Sequence, residues 1–123
     1  MGISSHENDY RLSWALNKSI DLNLKKIANH NIVDNKYPEP LIFSRFSYED
    51  EDSLLLYTLL SNRCEDGFLI GEIKNIDYFL IIHGEINKNF ISGILKKINK
   101  LSLVNTAFQI DPNDIKSRQK LLI

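Results

Sequence analysis

The sequence predicts an α+β fold: an antiparallel sheet of about five strands with two helices packed on one face. Two stretches have helical periodicity. Four apolar runs between 41 and 83 are separated by turn-forming residues, and a late run at 104–110 alternates apolar and polar residues. The chain has 123 residues, which fits a single domain spanning 1–123 with a modest core.

The first helix is expected at about 5–19. Leu12, Ala15, Leu16, Ser19 and Ile20 fall on one stripe, and Ser4 with Glu7 has the spacing of a capping box. Tyr10 and Trp14, four residues apart, lie opposite that stripe. Residues 21–40 are rich in Asn and Asp and end in Pro38 and Pro40, so they read as turns with a short strand. Strands follow at 41–48, 53–61, 68–73 and 76–83, with an acidic turn at 49–52 and the hairpin signal Asp66-Gly67. Gly84 breaks the run. The second helix is expected at 87–99, carried by Ile86, Phe90, Ile91, Ile94, Leu95, Ile98 and Leu101, with Lys88, Lys96, Lys97 and Lys100 on its wet side. The apolar end at 121–123 is expected to be tied down.

Composition excludes several function classes. Fifteen Lys and Arg balance sixteen Asp and Glu, so bulk charge does not favour nucleic acid. The single cysteine, Cys64, permits no internal disulfide; the start of the chain does not read as a secretory leader, and no apolar run is long enough to cross a bilayer. These features lead us to expect a cytoplasmic protein with no membrane association. No phosphate-binding glycine loop, C-x-x-C or H-E-x-x-H pattern occurs, so no cofactor and no metal are expected.

Several residues are candidates by chemical type. Glu72, Asp77 and Tyr78 bring two carboxylates and a phenol to one connection, which suits acid–base chemistry or binding. The structural alternative is turn chemistry, with Asp77 on turn amides and Glu72 paired with a Lys or Arg. His6, Glu7 and Asp9 are metal-ligand types, although capping explains Glu7 equally well. Cys64 beside Arg63 has one activating feature but no histidine partner nearby in sequence. The acidic run at 49–52 lacks the spacing of a calcium loop.

Two strands are apolar on both sides. Leu54, Leu56 and Leu60 oppose Leu55, Tyr57 and Leu59, while Tyr78, Leu80 and Ile82 oppose Phe79 and Ile81. A sheet with one wet face should alternate, so its second face must be covered, either by residues 21–40 with the tail or by a partner. Tyr10, Trp14, Leu55, Tyr57, Phe79 and Ile81 are therefore the candidate interface residues.

The stretch Ile70-Gly71-Glu72-Ile73-Lys74-Asn75-Ile76-Asp77-Tyr78 resembles the signature of the IPExxxVDY family, a small bacterial family found largely in the Bacteroidetes. Glu72, Asp77 and Tyr78 match, whereas Gly71 replaces the usual proline and Ile76 the usual valine. The segments GISSHENDYRLSWALN, FSYEDED, SNRCEDGFLI, DYFLIIHG and TAFQIDPNDIKS are similar to the family as well. The resemblance implies no catalytic residues, because the family has no established activity. It also implies an apolar segment ahead of the GISS-like start.

The leading expectation is a small non-catalytic interaction or assembly protein, homodimeric through an apolar sheet face or edge, with a further protein partner possible. The alternative is a small-molecule-binding or enzymatic domain using Glu72, Asp77 and Tyr78. A third reading, an RNA-associated factor, would use Phe43, Phe46 and Tyr48 as a stacking surface.

Overall fold

The expected α+β architecture is present in a computed structural model that describes residues 1–33 and 35–121. Along the chain run β1 (Gly2–Ser4), α1 (Asp9–Ile20), β2 (Lys25–Lys26), β3 (His30–Ile32), β4 (Leu41–Phe43), β5 (Arg45–Asp50), β6 (Leu55–Ser61), β7 (Arg63–Cys64), β8 (Gly67–Phe68), β9 (Tyr78–His83), α2 (Lys88–Asn99) and β10 (Thr106–Phe108). One antiparallel sheet has the order β10-β1-β9-β6-β5-β2; β3–β4 and β7–β8 are separate two-stranded ribbons. The main sheet thus has six strands rather than about five.

The additional central strand is the beginning of the chain. Ser4 pairs with Thr106 and Gly2 with both Phe108 and Phe79, so Ser4 cannot cap a helix. Asn8 takes that role instead, its side chain accepting from the Arg11 N–H at 2.9 Å. Ser5 bridges strand and helix: its hydroxyl donates to the Leu103 carbonyl at 2.6 Å and accepts from the Glu7 N–H at 3.2 Å. The second helix lies at its expected place, capped by Asn87. The expected strand at 41–48 breaks at Ser44, which sends β4 into a ribbon with β3 while β5 stays in the sheet.

The sheet separates two apolar clusters. On one face Leu55, Tyr57, Leu59, Tyr78 and Leu80 pack with Leu12 and Leu16 of α1 and Ile94 and Ile98 of α2. On the other, Leu60 and Phe79 pack with Leu41, Phe43, Leu69, Ile70, Ile76 and Ile115. The same chain therefore covers the second face, using β4, the 69–76 connection and the tail. This corrects the interface expectation for three residues: Leu55, Tyr57 and Phe79 are core side chains, at most 4% exposed. Ile81 is half-buried against the second cluster. The proposed stacking surface is corrected likewise, because Phe43 and Phe46 are buried. Leu121 packs at the margin of the second cluster; Leu122 and Ile123 lie outside the described residues.

Gly84 follows β9 with φ 134°, a conformation that side chains rarely adopt. A Cβ there would lie 2.5 Å from Leu55 Cδ2 and 3.1 Å from the Leu54 carbonyl oxygen. Gly84→Ala is expected to lower stability by about 1–3 kcal/mol. Urea unfolding followed by circular dichroism checks this: the midpoint should fall with the slope unchanged.

Candidate functional site

The region carrying Glu72, Asp77 and Tyr78 is organised by a residue outside that set. Asn62 follows β6 and is fully buried. Its side-chain oxygen accepts from the Ile70 N–H at 2.7 Å, and its amide nitrogen lies 3.5, 3.3 and 2.8 Å from the carbonyl oxygens of Ile70, Ile73 and Ile76. Its main chain binds Asp77 and Leu69. This side chain supplies partners that a β-ladder would otherwise provide. Residues 71–73 consequently form a 3₁₀ turn, not the strand expected at 68–73. Sequence reasoning missed Asn62 because its partners lie 8–14 residues away and show no periodic pattern.

Asp77 is buried at the start of β9. One carboxylate oxygen accepts from the Ser5 N–H at 2.8 Å; the other pairs with Arg63 Nε at 2.5 Å. The turn reading expects local amides, whereas the amide that Asp77 accepts from lies 72 positions away. The Tyr78 hydroxyl donates to the Glu7 carbonyl at 2.7 Å. Burial, then the charges of Asp9, Asp77 and Glu7, push its pKa up to about 12, against a smaller opposing effect of Arg63. The phenol therefore keeps its proton at neutral pH and acts as a fixed donor.

Asp77 and Tyr78, with Ser5, His6, Glu7, Ser61 and Arg63, line a cleft of about 150 Å³. Glu72 is not part of it. Its carboxylate instead accepts from the N–H groups of Lys116 and Ser117, each at 3.1 Å, and so fastens the tail. Where the sequence suggests a Lys or Arg partner for Glu72, the bonds found among the described residues are to this backbone. The Ser117 hydroxyl contributes most to lowering the Glu72 pKa; the two backbone donors and the Lys116 charge act in the same direction, against partial desolvation. The three motif residues thus hold two pieces of backbone: Glu72 the 116–117 tail, and Asp77 with Tyr78 the β1–α1 link, at Ser5 and Glu7.

The remaining candidates are dispersed. Tyr10 and Trp14 stand 63% and 59% exposed on α1. Lys18 Nζ lies 4.3 Å from the Trp14 ring centre, and Tyr10 meets Phe46 edge to face at 5.3 Å. Cys64 is half-buried in β7. His30 Nε2 lies 2.8 Å from the Lys120 carbonyl oxygen. Glu7 forms an ion pair with Arg11 at 3.4 Å. Among the described residues, no three His, Cys, Asp or Glu side chains gather as a metal site, and no helix is long and apolar enough to cross a membrane.

A larger cavity of about 550 Å³ opens beside β9, lined mostly by apolar side chains from β9, the start of α2 and the tail. Among the described residues no carboxylate, ammonium or guanidinium side chain lines it; Met1, whose amino group donates to the Leu80 carbonyl, is one of the lining residues. Comparison with family models, curated proteins and solved structures gives no match.

Asn62→Ala removes the short bonds to the Ile70 N–H and the Ile76 carbonyl in a buried place, while the Ile70 and Ile73 carbonyls keep the N–H groups of Ile73 and Ile76; it is expected to cost about 3 kcal/mol. Asp77→Asn keeps an acceptor for Ser5 and frees an Arg63 that is already half-exposed, so about 1–2 kcal/mol is expected. Paired urea titrations should preserve that order.

The Glu72 pKa is lower in the folded state than in the unfolded chain. Its contribution to stability is therefore complete above the unfolded value and disappears as pH falls through the folded one. Glu72→Gln should flatten the acid limb of stability against pH, which thermal unfolding between pH 3 and pH 7 would register.

Proposed function

We infer that this chain is a non-catalytic interaction module of the cytoplasm, in keeping with its resemblance to the IPExxxVDY family, and that it works as a homodimer. One observation carries this reading: Tyr10 and Trp14 are presented to solvent on one face of α1, while the polar motif residues are engaged in holding backbone. Aromatic residues of this kind are enriched at interface centres because they bury much area and retain a donor. The sheet face first considered for the contact is filled by the protomer's own tail and β4, so the reading moves to α1. A standard dimer buries about 600–1,000 Å² per protomer, roughly a tenth of the 7782 Å² surface.

The enzymatic alternative retains Asp77 and Tyr78 around the 150 Å³ cleft and loses Glu72. A general base must reach its substrate, and Asp77 is buried, with the Ser5 N–H on one oxygen and Arg63 on the other, while the Tyr78 phenol stays protonated. The binding reading is therefore preferred.

Sedimentation equilibrium at 5–100 μM tests the dimer, these concentrations being of the order where micromolar affinity is resolved. The expected result is a mass of two chains, reduced to one by Trp14→Glu with the circular dichroism spectrum retained. A one-chain mass throughout would overturn the homodimer.

A further inference from the structure

The cleft of about 150 Å³ at Asp77 has walls from three interior segments of the chain. These are 5–7 between β1 and α1, Ser61 and Arg63 on either side of Asn62, and Asp77 with Tyr78 at the start of β9. Met1 and the tail line the larger cavity beside β9, not this one. Every side chain in the lining carries a polar atom. The volume equals that of about five waters at ~30 Å³ each, which admits a molecule of about six non-hydrogen atoms.

Arg63 is held in a fixed orientation. Its Nε pairs with the buried Asp77 carboxylate, its Nη2 lies 3.4 Å from the Lys74 carbonyl oxygen, and its guanidinium sits 5.4 Å from the Phe68 ring centre. A guanidinium has five N–H donors, so these two bonds leave three, and the side chain is 54% exposed. A fork fixed before its ligand arrives suits a carboxylate. Glu7 brings the opposite charge to the lining; Arg11 meets one of its oxygens, Oε2, at 3.4 Å. The Tyr78 hydroxyl donates to the Glu7 carbonyl and keeps its own lone pairs as acceptors. His6 stands exposed in the lining.

We propose that this cleft binds a small free amino acid, with its carboxylate on Arg63 and its ammonium on Glu7. The inference goes beyond the interaction-module reading and uses side chains other than Tyr10 and Trp14. Charge selects this class of ligand. The lining carries two carboxylates, one guanidinium and one imidazole. Asp77 already balances Arg63, so a bare anion would add to the negative charge of Glu7, and a bare cation would leave the Arg63 donors unused. A molecule with both charges meets both groups. Its bonds are charge-assisted at each end, about twice as strong as those of a neutral amide of the same size. The role is binding alone, with no bond made or broken.

The probes are L-alanine and L-serine, titrated separately into ¹⁵N-labelled protein. Saturable shifts at the amides of His6, Glu7, Arg63 and Tyr78 are expected at millimolar concentration. Acetate, which lacks the ammonium, and L-alaninamide, which lacks the carboxylate, should bind at least tenfold more weakly, as should L-alanine to Glu7→Gln. Arg63→Gln should behave likewise, but it also strips the buried Asp77 of its cation. Glu7→Gln, at a partly exposed position, keeps the test independent of that loss. The Trp14→Glu variant should bind L-alanine as the parent does, which separates this proposal from the dimer. Equal affinity for acetate or L-alaninamide, unchanged affinity in Glu7→Gln, or no response at these amides up to tens of millimolar alanine and serine would each overturn it.

Discussion

The buried side chain of Asn62 is the constraint on which the rest of this structure depends. The connection from β6 to β9 leaves the sheet and returns, and Asn62, Leu69, Ile70, Ile76 and Asp77 are buried on the way. Without partners, each buried amide or carbonyl would cost about 1–3 kcal/mol. One carboxamide meets two of these demands with short bonds, accepting from the Ile70 N–H and donating to the Ile76 carbonyl, and lies within longer reach of the Ile70 and Ile73 carbonyls, which also accept from Ile73 and Ile76. The turn so formed directs Leu69, Ile70 and Ile76 into the second core and places Glu72 within reach of the tail.

Two other asparagines act in the same manner. Asn17 pairs with both the N–H and the C=O of Leu24, and Asn99 does the same with Ala107. In each case a side-chain amide reproduces the donor–acceptor pair of a peptide and joins a regular element to the segment that follows it. Asn17 ties α1 to the residues ahead of β2, and Asn99 ties the end of α2 to β10. The fold is stitched at the points where its elements change direction. The carboxylates of Glu72 and Asp77 extend the scheme to more distant backbone, with charge-assisted bonds of greater individual strength.

The same arrangement occupies the motif carboxylates: Glu72 accepts from the N–H groups of Lys116 and Ser117, and Asp77 accepts from the Ser5 N–H and pairs with Arg63. Two apolar features are prominent among the described residues: the aromatic side of α1 and the cavity beside β9. Gly2 has no room for a side chain, since a Cβ would come within 2.6 Å of Ile110 and 2.8 Å of Ile76. The tail and the 69–76 connection therefore close directly over β1.

The sequence by itself determined the α+β class, the place of α2, the antiparallel pair β5 and β6, and the need to cover both faces of β6 and β9, whereas the direct pairing of β6 with β9 replaces an expected strand at 68–73 between them. The features so determined follow from local periodicity: a helical stripe such as Ile94 and Ile98, or opposed residues such as Tyr78 and Phe79, is legible within a few positions. Only the tertiary structure decided that Gly2–Ser4 is an interior strand, that residues 71–73 turn instead of extending, and that Asn62, Ser5 and Arg63 complete the setting of the motif. Three residues are too few to display a period, and a buried polar side chain is specified by partners brought together through folding. Tyr10 and Trp14 could be assigned to one side of a helix from their spacing, but the extent of their exposure depended on which segments packed around that helix. Apolar pattern travels along the chain; hydrogen-bond satisfaction is a property of the closed structure.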